Sequence, residues 1–370
     1  MFAHDAARIF HDWANKEGLL SDTVAPVISV ATDFLHISPI SDAGKAILRS
    51  KQILSICYSE SKKEIVVMLK RAAPKTKPQL AKLPGLISDV KIIYRQGESN
   101  INGLLPAQPF GSPPYRLRSN PTGDKYTCGS SISVGNFQGA GTLGCLVRDV
   151  SGRLFGLSNN HVSASCSHAD VGLPILAPGI FDVSAMGLPP FTIGFHERSL
   201  PMIPGSVSNV DPLLNSDAAI FSIRDPNLVT SYQGIFYDTP GQAIDLVDGI
   251  VVEKVGRTTG YTKGRVLGPQ YGSVPVAYSV PHHNFTGFVS FAHVHAVVGE
   301  GSIFSDSGDS GSLVTTVDPS GNRFAVGLVF AGRNDSAAPG EKTSLILPIK
   351  PILEALGVTL VTGHNANDGH

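Results

Sequence analysis

The chain has 370 residues, 29 Lys+Arg against 30 Asp+Glu for a formal net charge of −1, and is 42% hydrophobic but only 16% charged. At about 150 residues per domain this length suggests two domains, and so apolar a composition excludes disorder for most of the chain. Glycine (39) and proline (26) exceed their usual shares of about 7% and about 5%, which favours many short strands joined by turns and excludes a helical bundle.

No apolar run approaches the roughly 20 residues of a membrane span, and the N-terminus has neither a basic nor an apolar signal region, so the expected location is the cytoplasm with no membrane partner. Cys57, Cys128, Cys145 and Cys166 form no CxxC pair and no zinc spacing. They are read as free thiols, with no metal and no cofactor expected.

In chain order, residues 2–14 place Phe2, Ala6, Ile9, Phe10 and Trp13 on one helical face. Residues 52–59, 63–70 and 89–95 read as strands, with a short helix over 78–84 between them. This small α+β domain spans residues 1–97. Its segment Lys45 to Gly97 holds 12 Lys/Arg against 3 Asp/Glu, yet without an RNP, KH or helix-turn-helix signature the cations read as a solvated face, which makes nucleic acid an unlikely partner. A substrate-docking or regulatory partner fits better.

Residues 98–125, rich in proline and glycine, read as a linker. From residue 126 to 360, nine apolar runs bounded by turn residues describe an antiparallel sandwich or a pair of barrels, closed by a helix over 351–356 and followed by a polar tail, 361–370. His293 and His295, two apart on one strand, share a face and could ligate a metal, but ordinary half-exposed strand positions are the better reading. His282 and His283 are read as loop residues.

GDSGS at 308–312 lies between a turn-rich stretch and the apolar run LVTTV. A glycine on each side of Ser310 allows a tight turn that exposes the hydroxyl and aims successive N–H groups into one concavity. Upstream, LSNNHV places His161 at the end of an apolar strand, and NSDAAI places Asp217 just before another. Asp170, Asp182 and Asp211 also fall between the histidine and the serine, and Asp217 leads because a strand of small residues follows it directly.

The order His, Asp, Ser in these contexts resembles the trypsin/chymotrypsin-like serine proteases over roughly residues 126–357. KVGRTTG (254–260) and GLVFAG (327–332) agree with it. The chain looks most like intracellular bacterial members with an N-terminal extension, and no PDZ domain follows. The resemblance implies a chymotrypsin-like double β-barrel and a serine endopeptidase acting on protein or peptide substrates. Ser310 would be the nucleophile, His161 its base, Asp217 the orienting acid, and the N–H groups of Gly308 and Ser310 the oxyanion donors.

Ser312 stands where the commonest form has a second glycine. Phe304 falls at the pocket position where trypsin-type enzymes carry an aspartate, and Gly332 would sit on a pocket wall, so Phe304 and Gly332 are the expected substrate-binding residues and a small or apolar P1 residue is expected. Asp309 calls for a cation, either a new N-terminal amine made by cutting the linker or, as the favoured reading, a buried partner such as an Arg. Cys145 and Cys166 bracket His161 as a disulfide does in secreted members, but are expected here as buried thiols. The rival reading is a catalytically silent, protease-like module that grips a peptide while the basic domain recruits a partner.

Overall fold

The computed structural model describes residues 1–21, 40–97, 99–100, 109, 113–186, 189–206, 209–335 and 337–366. Residues 98, 101–108 and 110–112 of the expected linker and 367–370 of the tail lie outside the described residues.

The first helix, Ala3–Lys16, buries Ala6, Ile9, Phe10 and Trp13 as its periodicity predicts. Phe2 precedes the helix and is 73% exposed, so it is not part of that face. No side chain caps the helix from its own N-cap. Glu60, in the turn between two strands, accepts from the N–H groups of Ala3 and His4 at 2.8 Å each, placing a carboxylate at the positive end of the helix. The helix covers a sheet in which Ile53–Ser59 runs antiparallel to Glu64–Leu69, which pairs in parallel with Val90–Gln96. Ile53, Ile65, Val67 and Ile92 form the core against it. Of the twelve cations, nine are exposed, all but Lys45, Lys51 and Arg95, the solvated face that their spacing suggests.

This sheet does not stop at the N-terminal unit. Ile56 and Cys57 pair with Tyr271 and Gln270 of the long strand Gly260–Tyr271, so the N-terminal strands and the C-terminal barrel share one sheet. In that barrel, Val251–Gly256 pairs with Gly260–Tyr271, then come His295–Gly299, Lys342–Pro348, Arg323–Asn334 and Leu313–Val317, which returns to Val251–Gly256. The ring is closed, six-stranded and antiparallel, and its centre is filled by Val252, Val266, Val297, Phe304, Val314, Val326, Val329 and Ile346. Closure leaves no edge inside the ring.

The other half is open. Cys145–Asp149, Leu154–Ser158, Ala219–Ile223, Phe191–Ser199, Pro174–Ala177 and Ser131–Val134 follow one another as a half-barrel. Val358–Leu360, after the helix Ile349–Leu356, pairs with Cys145–Asp149. The fold is mainly β, a chymotrypsin-like pair of barrels, as expected. A continuous apolar cluster joins them, with Leu157 and Ile220 from one and Leu313, Leu328 and Phe330 from the other.

Two details differ from the sequence reading. Ser131–Val134, Pro174–Ala177, Phe191–Ser199 and Val274–Val280 are strands that were not expected. The run over 287–298 is not one strand: it breaks between Phe285–Phe291 and His295–Gly299, and His293, in the break, has φ 56°. His293 and His295 therefore do not share a strand face, and His295 Nδ1 lies 3.1 Å from the His293 carbonyl. Among the described residues no group of three or more His, Cys, Asp or Glu could hold a metal.

Candidate active site

Leu154–Ser158 delivers the chain to a one-turn helix, Asn160–Ser163, whose second residue is His161. The short loop before Ala219–Ile223 supplies Asp217, which is wholly buried. The carboxylate holds both ends of the histidine: Oδ2 lies 2.6 Å from the ring Nδ1, and Oδ1 accepts from the His161 backbone N–H at 3.0 Å. Asn159 Nδ2 donates to the Asp217 backbone carbonyl at 2.6 Å, so the loop is fixed as well as the side chain. With the carboxylate on Nδ1, the proton sits on that nitrogen and Nε2 is left as the acceptor. The imidazole remains half-buried, 12% exposed.

The other candidate acids do different work. Asp182 is paired in the interior with Arg257, through Nε at 3.0 Å and through Nη2, and accepts from Ser131 Oγ. Asp211 is exposed and caps the turn Pro212–Leu214 by accepting from the Leu213 N–H at 2.9 Å, and Asp170 is exposed.

The GDSGS loop is built from its carbonyls outward. Gly308 and Gly311 have φ of 98° and 95°, in the region that favours glycine, and a Cβ on Gly311 would lie 2.4 Å from both Ser158 Oγ and the Thr142 carbonyl. Thr258 Oγ1 donates to the Ser307 carbonyl at 2.6 Å. Ser312 donates to the Asp309 carbonyl through Oγ at 2.6 Å and N–H at 3.0 Å. A planar trans peptide carries its N–H opposite its carbonyl. Pinning the Ser307 and Asp309 carbonyls therefore turns the Gly308 and Ser310 N–H groups the other way, and neither donates to another backbone group among the described residues. Ser312, the departure from the commonest motif, adds a clamp to this loop.

Thr142 locks the loop to the half-barrel. Its Oγ1 donates to the Gly308 carbonyl at 2.9 Å and accepts from the Arg257 N–H at 3.1 Å, while its own N–H donates to the Ser310 carbonyl at 2.8 Å. Ser158 Oγ, three residues before His161, donates to the Thr142 carbonyl at 2.7 Å. The serine loop and the histidine turn are thus braced through two shared residues. Ser310 is half-buried, and its Oγ makes no hydrogen bond to His161 among the described residues.

The cation for Asp309 comes from KVGRTTG. Lys254 Nζ lies 3.2 Å from Asp309 Oδ2. Thr259 Oγ1 and the Asp306 N–H also reach Oδ2, at 2.7 and 3.0 Å, and the Thr258 and Thr259 N–H groups reach Oδ1 at 2.7 and 3.2 Å. Burial lowers the lysine pKa, and the Asp309 charge opposes that fall. The sequence marked KVGRTTG as a likeness without seeing that its lysine is the counter-ion.

Of the expected pocket residues, Gly332 lies on Arg323–Asn334, paired with Ser344 on one side and Asn100 on the other. Phe304 is 1% exposed and packs in the closed barrel with Val252, Val266 and Val297. All four cysteines are buried and unbridged, Cys145 and Cys166 included.

No family model matches the chain. Protein NARROW LEAF 1 of Oryza sativa subsp. japonica is 26% identical over 230 residues, 55% of this chain and 36% of that protein; the chain thus spans well under two thirds of the length of this curated relative. Among solved structures, protease A of Thermobifida fusca is 19% identical with a TM-score of 0.40, covering 64% of this chain and 98% of that one. A glutamic-acid-specific serine protease gives 19%, 0.40, 64% and 100% on the same measures, and a chymotrypsin of Cellulomonas bogoriensis gives 17%, 0.39, 64% and 98%. These neighbours are serine proteases, and at such identity the likeness concerns the fold.

Proposed function

We propose that the chain is a serine endopeptidase in which Ser310 attacks a peptide carbonyl, His161 takes and returns the proton, Asp217 holds the imidazole tautomer, and the Gly308 and Ser310 N–H groups receive the oxyanion. The observation that carries this reading is the pair of opposed arrangements on one braced frame: a histidine held at Nδ1 by a buried carboxylate, and a serine loop whose two N–H groups are turned away from their pinned carbonyls. Such an arrangement lowers the barrier only where charge develops, which is the economy expected of an acyl-transfer site.

The edge of Arg323–Asn334 supports peptide as the ligand, because an extended segment already adds to it. Ser99–Asn100 pairs antiparallel with Gly332 and Arg333. Substrates that bind by strand addition use main-chain hydrogen bonds of this kind, and one reaching Gly332 takes the place of this segment. The same pairing, with Ser310 Oγ not hydrogen-bonded to His161, favours the second reading, a silent peptide-gripping module. Loose nucleophile–base contacts are common in unliganded enzymes, which leaves catalysis the better account. We place the protein in a reducing compartment such as the cytoplasm, supported by the unbridged Cys145 and Cys166, and assign the exposed lysines of the N-terminal unit to a docking or regulatory partner.

A fluorophosphonate probe distinguishes the two readings. Labelling of the wild type that is lost in Ser310→Ala and His161→Ala supports catalysis; an unlabelled, folded wild type leaves the binding module.

A further inference from the structure

Asp217 has a third partner that the sequence did not indicate. Tyr278, on Val274–Val280, donates its phenolic hydrogen to Asp217 Oδ2 at 2.9 Å, the same oxygen that lies 2.6 Å from His161 Nδ1. The donor role is fixed by chemistry, since a carboxylate only accepts. Burial, followed by the Asp217 charge, raises the phenol well above its ordinary pKa and keeps it protonated. The ring is held on two sides: it lies 5.7 Å from the His161 ring and 6.1 Å from the Phe291 ring, and is 1% exposed. The remaining titratable group interacting with both Tyr278 and Asp217 is Cys166, which burial keeps as a neutral thiol.

We propose that Tyr278 is a positioning residue of the His161–Asp217 pair, setting both the orientation of the carboxylate and the basicity of the imidazole. The proposal rests on the catalytic reading above for its consequence in rate, but not for its consequence in titration. One hydrogen bond from Tyr278 and one from His161 compete for the electron density of Oδ2. Withdrawing the phenol leaves more negative charge facing the imidazolium, which stabilises the protonated ring and raises the His161 pKa. It also removes one of the three hydrogen bonds to the carboxylate, leaving only those from His161 to hold its orientation.

The test is carried out on the full chain. In Tyr278→Phe, which keeps the ring and removes the hydroxyl, the imidazole NMR signals of His161 change protonation at a higher pH than in the wild type. The fluorophosphonate labelling rate on its alkaline plateau falls roughly tenfold, the scale of a lost hydrogen bond to a charged group. As a second variant, tyrosine fluorinated beside the hydroxyl at position 278 strengthens the donor and moves the His161 pKa the other way. Opposite shifts in the two variants support the proposal, and a merely structural role produces no such ordering. An unchanged titration in folded Tyr278→Phe, or shifts of the same sign in both, overturns it. If the wild type is not labelled, the catalytic reading fails, while the titration still decides the role of Tyr278.

Discussion

Lys254 Nζ lies 3.2 Å from Asp309 Oδ2, and neither side chain reaches solvent. Asp309, in the serine loop, is therefore paired with a lysine on the strand Val251–Gly256. Removing one member of such a pair costs about 3–5 kcal/mol, because the other charge stays buried and uncompensated. Lys254→Met is expected to lower the unfolding free energy, read by denaturant titration, by that order and to lose fluorophosphonate labelling with it. A variant as stable and reactive as the wild type would show that the four remaining contacts to the Asp309 carboxylate suffice.

The four candidate acids, Asp170, Asp182, Asp211 and Asp217, separate by what they touch. Asp217→Asn keeps the shape but favours the wrong imidazole tautomer, and a loss on the order of 10⁴ in kcat is expected. Asp182→Asn breaks the buried pair with Arg257 and shows first as lost stability. Asp211→Ala loses a turn cap worth about 1 kcal/mol, and Asp170→Ala changes little. Steady-state rates and melting of the four variants check the order.

The serine motif was legible because the chemistry demands it locally: two glycines must flank a serine in a positive-φ turn, and no distant residue is required to see that. His161 followed from the strand before it. Lys254 and Tyr278 were not legible, since each meets its carboxylate across 55 and 61 positions of sequence and carries no local mark. The burial of Phe304 in the barrel core was not legible either, because distance along the chain fixes a Cα but not the face a side chain takes. Strands such as Phe191–Ser199 were missed where Gly194, His196 and Arg198 dilute the alternation.

Thr142 separates loop geometry from bulk packing. Thr142→Val keeps the volume but strips the Gly308 carbonyl of a donor and the Arg257 N–H of its acceptor. Each buried group left unpaired costs about 1–3 kcal/mol. Labelling of Ser310 is expected to fall more than stability does, whereas Thr142→Ser, which keeps the hydroxyl, recovers most of it. Equal labelling in the valine and serine variants would remove the hydroxyl from the account.

Acid sensitivity follows from histidines whose pKa is lowered, His196, His295 and His282, the last beside His283. Burial lowers the pKa of His196, against the opposing charge of Glu197, and burial likewise lowers that of His295. A lowered histidine pKa means that the unfolded chain takes up a proton the folded chain refuses. Stability is then full above the unfolded value near 6.5 and falls as the pH drops below it towards the folded value. Melting temperatures between pH 7.5 and 5 are expected to decline, and His196→Phe to decline less steeply; a parallel decline would assign the effect to other groups.

Charge at the first subsite gives the last prediction. Beside Gly332, the hydroxyls of Ser305 and Ser344 meet at 2.5 Å, and the nearby acids are engaged: Asp306 pairs with Lys342, and Asp335 with Arg95 at 3.1 Å and Thr343 Oγ1 at 2.9 Å. Glu341 is exposed. A substrate with Arg or Lys at P1 would shed its hydration without gaining a free carboxylate, which is costly in a closed site. A small or medium neutral side chain instead gains roughly 25 cal/mol per Å² removed from water. A P1-varied peptide library is expected to rank neutral residues above Arg and Lys in kcat/KM. Lys342→Met, which releases Asp306, should then raise Arg cleavage relative to neutral residues by about tenfold, the scale of one charge-assisted hydrogen bond. Strong Arg preference in the wild type would mean that an engaged acid opens to substrate; no relative gain in Lys342→Met would place Asp306 outside the P1 pocket.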